Sequence, residues 1–100
     1  FGVRTAFHGP RDVSPVGMAA NVAMDVHLHN FGIQEWALRT DNERQVFEGI
    51  PELRRGFVYP NGRPGLGIDV DEKAAARFPA RDRVIDWTQS RLPDGTLARP

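Results

Sequence analysis

Two short apolar runs, separated by a helical segment, stand out in the first part of the chain. Val3, Thr5 and Phe7 alternate with other residues along FGVRTAF, which predicts a strand over residues 1–7. The loop HGPRDVSP follows, interrupted by glycine and proline. The second run is FGIQEW, residues 31–36, and it predicts another short strand.

The segment between these strands has the pattern of an amphipathic helix. Ser14 suits the N-cap, and Pro15 suits the first helical position, where the missing N–H costs nothing. Apolar residues then recur at helical spacing to about Leu28, namely Val16, Ala19, Ala20, Val22, Ala23 and Val26. A strand, a helix and a strand of this combined length are typical of a βαβ unit, so we expect the two strands to be parallel.

Glycine and proline interrupt the pattern repeatedly after residue 37. Residues 41–47 predict one or two amphipathic turns. Residues 56–59 and 66–70 have extended character and flank the turn dipeptide Asn61-Gly62, so we predict that they pair as a hairpin.

The end of the chain has weaker signals. Asp71 is predicted to cap a short helix over residues 72–78, which Pro79 ends. The tail over residues 80–100 is irregular, and its expected apolar anchors are Val84, Ile85, Trp87 and Leu92.

Length and composition limit the classes of protein that fit. The chain has 100 residues, of which 40% are hydrophobic and 26% charged, as in an ordinary globular protein. If the predicted βαβ unit belongs to a (β/α) barrel, the whole barrel needs about 250 residues. The chain also opens at Phe1 without an initiator Met. We therefore interpret the chain as part of a longer protein.

Charge and cysteine content limit the partners and the kinds of site that we expect. Lys plus Arg and Asp plus Glu number 13 each, so we expect no binding to nucleic acid or acidic lipid. The absence of cysteine excludes a disulfide framework and thiolate metal sites, and it fits a cytoplasmic protein. No apolar run approaches the roughly 20 residues that a membrane-spanning helix needs.

Ionisable residues follow both predicted strands, which is where barrel enzymes place their functional groups. His8 could bind a hydroxyl or carboxylate or transfer a proton, or it could donate to a backbone carbonyl. Asp12 could accept from a substrate hydroxyl, or it could interact with the N-terminus of the helix. Glu35 lies in an apolar context where a carboxylate is costly unless used or paired. Its structural alternative is an ion pair with Arg4 or Arg39.

Two other motifs do not predict a site. His27 and His29 lie near Asp25 but lack a convincing third ligand, so we expect no metal there. The glycines of Gly65-Leu66-Gly67 lack the third glycine and the following helix of a dinucleotide-binding loop.

Three stretches together resemble the C-terminal quarter of the mannonate dehydratase group of the enolase superfamily: HGPRDVSPVGMAANVAMDVHLHNFGIQEW, YPNGRPGLGIDVDE and RLPDG. The resemblance covers nearly the whole chain. HGPxDVSPVG together with NFGIQEW is specific, whereas PGLG is shared widely across the superfamily. The resemblance implies an α/β fold, the C-terminal part of an enolase-type (β/α) TIM barrel. Residues 1–40 would be the last βαβ unit, and residues 41–100 would close the barrel and contact the capping domain with an irregular tail.

The resemblance also implies a reaction. Enzymes of this group are Mg²⁺-dependent hydro-lyases that convert D-mannonate to 2-keto-3-deoxy-D-gluconate and water. His8, Asp12 and Glu35 match family residues that contact the acid sugar, with His8 near its reacting end, Asp12 at a hydroxyl further along and Glu35 orienting it. The metal ligands and the proton-transfer residues come from earlier barrel strands, so we expect neither a metal ligand nor a catalytic acid or base in this chain.

Three alternatives stay open. D-gluconate is the alternative substrate, because relatives with the same residues accept either epimer weakly. A regulatory or binding relative without turnover is the alternative class of protein, and a small stand-alone α+β domain is the third. We also expect a homo-oligomer, and we expect this 100-residue portion alone to be inactive.

Overall fold

The computed structural model describes residues 1–80 and 91–96. Short strands and short helices alternate along this part of the chain. In chain order they are β1 Thr5–Phe7, α1 Pro15–His27, β2 Phe31–Gln34, α2 Asp41–Val46, β3 Phe47–Glu48, β4 Glu52–Arg54, β5 Phe57–Tyr59, β6 Asp69–Val70 and α3 Glu72–Ala75.

The predicted βαβ unit is present, and its strands are parallel as expected. β1 pairs with β2 through Ala6 opposite Ile33 and Phe7 opposite Gln34. β1 is shorter than predicted and begins at Thr5, because the preceding residues are exposed and Gly2 has a φ of 69°, outside the strand region. β2 ends at Gln34, so Glu35 lies directly beyond the strand end.

The helix of this unit begins as the sequence predicts. The Ser14 hydroxyl accepts from the Gly17 N–H at 3.1 Å, and Pro15 is the first helical residue. Ala19 and Val22 of the predicted apolar face are buried, whereas Val26 is 69% exposed, and Met18, which was not predicted, is fully buried. The last turns of the helix are more exposed than its middle, since Met24 and Val26 are both exposed.

The predicted hairpin between residues 56–59 and 66–70 is wrong. β5 pairs instead with β4, and β6 pairs with β3, in both cases antiparallel. Arg55 and Gly56 have φ values of 50° and 82°, so the two residues between β4 and β5 form the tight turn that suits a two-residue hairpin. This local closure occupies β5 before the Asn61-Gly62 turn is reached.

The short helices are fixed by their caps. Thr40 and Glu43 form a capping box at the start of α2, and the Asp71 carboxylate accepts from the Ala74 N–H, which confirms Asp71 as the cap of α3. α3 ends at Ala75, earlier than predicted. The expected anchors Val84, Ile85 and Trp87 lie outside the described residues, and Leu92 is exposed.

The chain therefore has mixed α/β content, with a small core. The described strands form three sheets of two strands each, and no barrel closes among them. Among the described residues, this core contains the buried side chains of Met18, Ala19, Val22, Val46 and Ala74. In residues 1–80 and 91–96, no helix has both the length and the apolar character that crossing a membrane requires.

Candidate functional site

The carboxyl ends of β1 and β2 bring two of the candidate residues together. His8 follows β1 and Glu35 follows β2, and parallel strands end at the same edge of their sheet. The imidazole Nε2 of His8 lies 3.8 Å from Oε2 of Glu35. Both side chains are exposed, by 83% and 54% respectively, so an ion pair between them adds little stability and leaves both accessible to a ligand.

A backbone N–H fixes the carboxylate of Glu35. Oε2 of Glu35 accepts from the Gly9 N–H at 2.9 Å, across the gap between the two strand ends. The alternative ion pairs are not formed, because Arg39 pairs with Glu43, and no ion pair joins Arg4 to Glu35 in the part of the chain that the structure describes. Glu35 therefore pairs with neither arginine, and its carboxylate stays at the strand ends beside His8 and Gly9.

Glycine is required at position 9 because the two segments approach closely. A Cβ there would overlap the backbone carbonyl of Glu35 and would lie 2.8 Å from Nε2 of Gln34 and 2.9 Å from Cε of Met18. The Gln34 side chain also spans the strand ends, donating to the carbonyls of Phe7 at 3.2 Å and Glu35 at 2.7 Å. The site is thus held by backbone groups on both strands.

Asp12 lies apart from this pair. It is exposed, in the turn that the Val13 N–H closes by donating to the Pro10 carbonyl at 3.2 Å. Capping of α1 falls to Ser14 and not to Asp12. Among the described residues, no hydrogen bond or ion pair joins Asp12 to His8 or Glu35, so its carboxylate is available on the same loop but is not part of their cluster.

Sequence reasoning missed the residues that hold the loop in place. The Asn21 side-chain amide donates to the His8 carbonyl at 3.2 Å, and Nη1 of Arg39 donates to the Val13 carbonyl at 2.7 Å. In the sequence, Asn21 is a polar position within the predicted helix, and Arg39 is a charged residue four positions after Glu35. Their long-range partners depend on the fold and leave no local signal.

The groups at this edge can form hydrogen bonds with a ligand. An exposed carboxylate can accept from hydroxyl groups, and an imidazole beside it can donate or accept. Within residues 1–80 and 91–96, no three His, Asp or Glu residues gather as a metal site. Asp25, near His27 and His29 in sequence, is partly buried, and desolvation raises the pKa of its carboxyl group.

Comparison with known proteins gives consistent matches. Residues 1–74 match the family model for the enolase C-terminal domain-like proteins. The chain is 52% identical over 99 residues to a D-galactonate dehydratase family member of Salmonella virchow, covering 99% of this chain and 24% of that protein. It is 51% identical over 100 residues to a D-galactonate dehydratase family member of Enterocloster bolteae, covering 100% of this chain and 25% of that protein.

A solved structure has the same fold over nearly all of this chain. It is the crystal structure of an enolase from Pantoea ananatis with bound D-gluconate and Mg, with a TM-score of 0.87 and 50% identity. The match covers 99% of this chain and 24% of that one. The chain thus spans about a quarter of the length of the relatives it matches.

Proposed function

This chain belongs to the enolase C-terminal domain-like family, and from that premise we propose that it forms one wall of the active site in a Mg²⁺-dependent sugar-acid dehydratase. One observation carries the proposal. His8 and Glu35 lie 3.8 Å apart and exposed, beyond the ends of two neighbouring parallel strands. That is the edge at which barrel enzymes bind their substrates.

The proposal gives each candidate residue a role in holding the acid sugar. Glu35, already oriented by the Gly9 N–H, accepts from a substrate hydroxyl. His8 binds the substrate near its reacting end. Asp12, on the same loop as His8, accepts from a hydroxyl further along the sugar chain. These three side chains select and position a polyhydroxylated acid rather than perform the proton transfer.

The reaction that we propose is the elimination of water. A proton leaves C2 and the hydroxyl group leaves C3, and the resulting enol rearranges to the 2-keto-3-deoxy acid. When bound, Mg²⁺ supplies positive charge beside the substrate carboxylate, which favours removal of the C2 proton. In keeping with the family resemblance, we propose that the ligands of this ion, the acid and the base come from earlier barrel strands, outside this chain.

The architecture in this proposal extends beyond the present chain. Residues 1–40 are the last βαβ unit of a (β/α) barrel, and residues 41–100 close the barrel and contact a capping domain. Two findings support this proposal. Residues 1–74 match the family model, and the relatives are about four times as long as this chain. We also propose that the protein is a homo-oligomer, which sedimentation of the full-length protein would measure.

D-mannonate is the substrate that the resemblance implies, and D-gluconate is the second candidate. The second is favoured by the similar structure from Pantoea ananatis, which contains D-gluconate and Mg. The two acids differ only in configuration at C2. Because the elimination removes that stereocentre, both would give 2-keto-3-deoxy-D-gluconate.

The test is turnover by the full-length protein. Purified protein is incubated with D-mannonate, D-gluconate or D-galactonate, with Mg²⁺ and with a chelator in its place, and the keto acid is measured. We expect Mg²⁺-dependent formation of 2-keto-3-deoxy-D-gluconate from D-mannonate or D-gluconate. Binding of these acids without formation of any keto acid would contradict the proposal that the protein is a dehydratase. It would favour the alternative of a regulatory or binding protein without turnover.

A further inference from the structure

Arg39 is a buried charged residue whose position the proposed site does not explain. It lies four residues beyond Glu35, and its side chain is only 1% exposed. Nη1 donates to the Val13 carbonyl at 2.7 Å and lies 3.1 Å from Oε1 of Glu43. The guanidinium group therefore joins the start of α2 to the loop between β1 and α1.

The α2 end of this connection is itself fixed. Oε2 of Glu43 accepts from the Thr40 N–H at 2.7 Å and from the Thr40 hydroxyl at 2.9 Å, while the hydroxyl accepts from the Glu43 N–H at 3.2 Å. One carboxylate oxygen thus completes the capping box, and the other holds Arg39. Arg39 is held in one place by a local motif that does not depend on the loop.

The other end of the connection lies next to a residue of the proposed site. Val13 directly follows Asp12 and precedes Ser14, the N-cap of α1. The first part of the same loop is held separately, by Asn21 at the His8 carbonyl and by Glu35 at the Gly9 N–H. Arg39 fixes the part of the loop that carries Asp12.

Burial makes a cation in this place costly, even with the Glu43 carboxylate beside it. Nε and Nη2 of Arg39 are buried and have no hydrogen-bond partner in the described parts of the chain. Burying a charged group with N–H groups unpaired is costly, and an apolar side chain of similar size is often no less stabilising. The guanidinium group here contacts both the Glu43 carboxylate and the Val13 carbonyl, so it fixes the position of the loop relative to α2.

We propose that Arg39 is a positioning residue, which sets the place of Asp12 for the acid sugar through the Val13 carbonyl. This inference rests on the proposed function, because it takes Asp12 to contact the substrate. Arg39 itself touches no substrate in this account. Its loss should therefore weaken substrate binding through the loop and leave the rate of the chemical step less affected.

The kinetic test uses the full-length protein and two variants. Arg39→Met removes the donors at similar length, and we expect KM for the sugar acid to rise about tenfold with a smaller change in kcat. Arg39→Lys keeps a charged donor and should recover most of the loss. Arg44→Met, the same change at an exposed neighbour, and Val46→Ala, a buried change in the same helix, should leave KM near that of the parent protein.

A double-mutant cycle tests whether Arg39 acts through Asp12. If it does, Arg39→Met adds little to the loss in kcat/KM that Asp12→Asn causes. Additive effects of the two substitutions, or a fall in kcat with KM unchanged, would overturn the inference.

A second readout does not depend on turnover. Arg39→Met should speed hydrogen exchange at the backbone amides of residues 11–14 in the substrate-free protein, and Val46→Ala should not. Unchanged exchange in Arg39→Met overturns the role of Arg39 even in an active enzyme. Faster exchange in a protein that dehydrates no sugar acid would instead refute the proposed function, while the contact of Arg39 with the loop would stand.

Discussion

At the scale of single residues, Gly9 decides how closely the two strand ends meet. A side chain at this position would overlap the Glu35 carbonyl, which is backbone and has no other rotamer to adopt. We expect Gly9→Ala to cost about 1–3 kcal/mol of unfolding free energy, as overpacking does. We also expect it to weaken substrate binding, because the Gly9 N–H that orients Glu35 must move. Thermal melts and KM measure the two effects.

Gly65→Ala is the control for Gly9→Ala. Gly65 has a φ of 64° and open space around its missing Cβ, so alanine there costs stability through the backbone alone. Similar stability loss in both variants, with KM raised only by Gly9→Ala, is the expected pattern. Equal KM values in the two variants would mean that the approach of the strands does not matter for binding.

Residue-scale prediction from sequence succeeded where the cause is local. Ser14 and Asp71 were found because a cap depends on residues within three positions of it. The meeting of His8 and Glu35 could be expected because parallel strands share an edge. The burial of Arg39 could not, since nothing in the sequence says on which side the segment after Glu35 packs.

At the scale of elements, Asn61 connects the two ends of the segment that joins β3 to β6 and contains the β4–β5 hairpin. Its side-chain N–H₂ donates to the carbonyls of Gly49 at 2.7 Å and Gly67 at 2.6 Å, and its oxygen accepts from the Arg63 N–H at 3.0 Å. The sequence indicated only a turn at Asn61-Gly62. We call these two contacts of Asn61 with the carbonyls of Gly49 and Gly67 the Asn61 clamp. The sequence does not reveal the clamp, because its partners lie 12 residues before and 6 residues after Asn61. Gly49 follows β3 and Gly67 precedes β6, and these two strands pair with each other, which the sequence does not predict.

We expect Asn61→Asp to destabilise the protein by about 1–3 kcal/mol. The change removes both donors and places carboxylate oxygens against two carbonyls. Asn42→Asp is the matched control: it makes the same substitution in the first turn of α2, where a negative charge is favourable. Chemical denaturation of the two variants measures the difference, and equal stability would show that the clamp contributes nothing.

The Glu43 carboxyl group at the start of α2 makes the stability of the folded protein depend on pH. Burial alone would raise the pKa of Glu43, but hydrogen bonds from Thr40 and Arg39, together with the charge of Arg39, lower it below the ordinary value of 4.5. A carboxyl group with a lowered pKa in the folded state stabilises the protein above its ordinary pKa. This stability is lost as the pH falls through the lowered value.

Glu43→Gln isolates this contribution, because glutamine keeps a capping-box acceptor but does not titrate. The variant should melt at a lower temperature than the parent protein at pH 7, and the gap should shrink as the pH falls below about 4.5. A gap that stays constant down to pH 3 would contradict the lowered pKa.

At the scale of the whole molecule, the described part of the chain has a small core and many exposed apolar side chains. Several large apolar side chains on the βαβ unit and on the β4–β5 hairpin are exposed, among them Val26, Ile33, Leu53 and Phe57. Contiguous exposed apolar surface marks contact with another part of a protein. In our proposal these faces pack within the barrel, whose remaining strands the relatives are long enough to supply.

The most direct test of the account is the effect of Glu35→Gln on kcat/KM for D-mannonate and D-gluconate in the full-length protein. A hydrogen bond to a charged group contributes about 1.5–3 kcal/mol, so we predict a fall of about 10- to 100-fold. Glu48→Gln, at an exposed carboxylate paired with Arg63 away from the strand ends, should leave kcat/KM unchanged. A Glu35→Gln enzyme as active as the parent protein would contradict the claim that the ends of β1 and β2 bind the acid sugar.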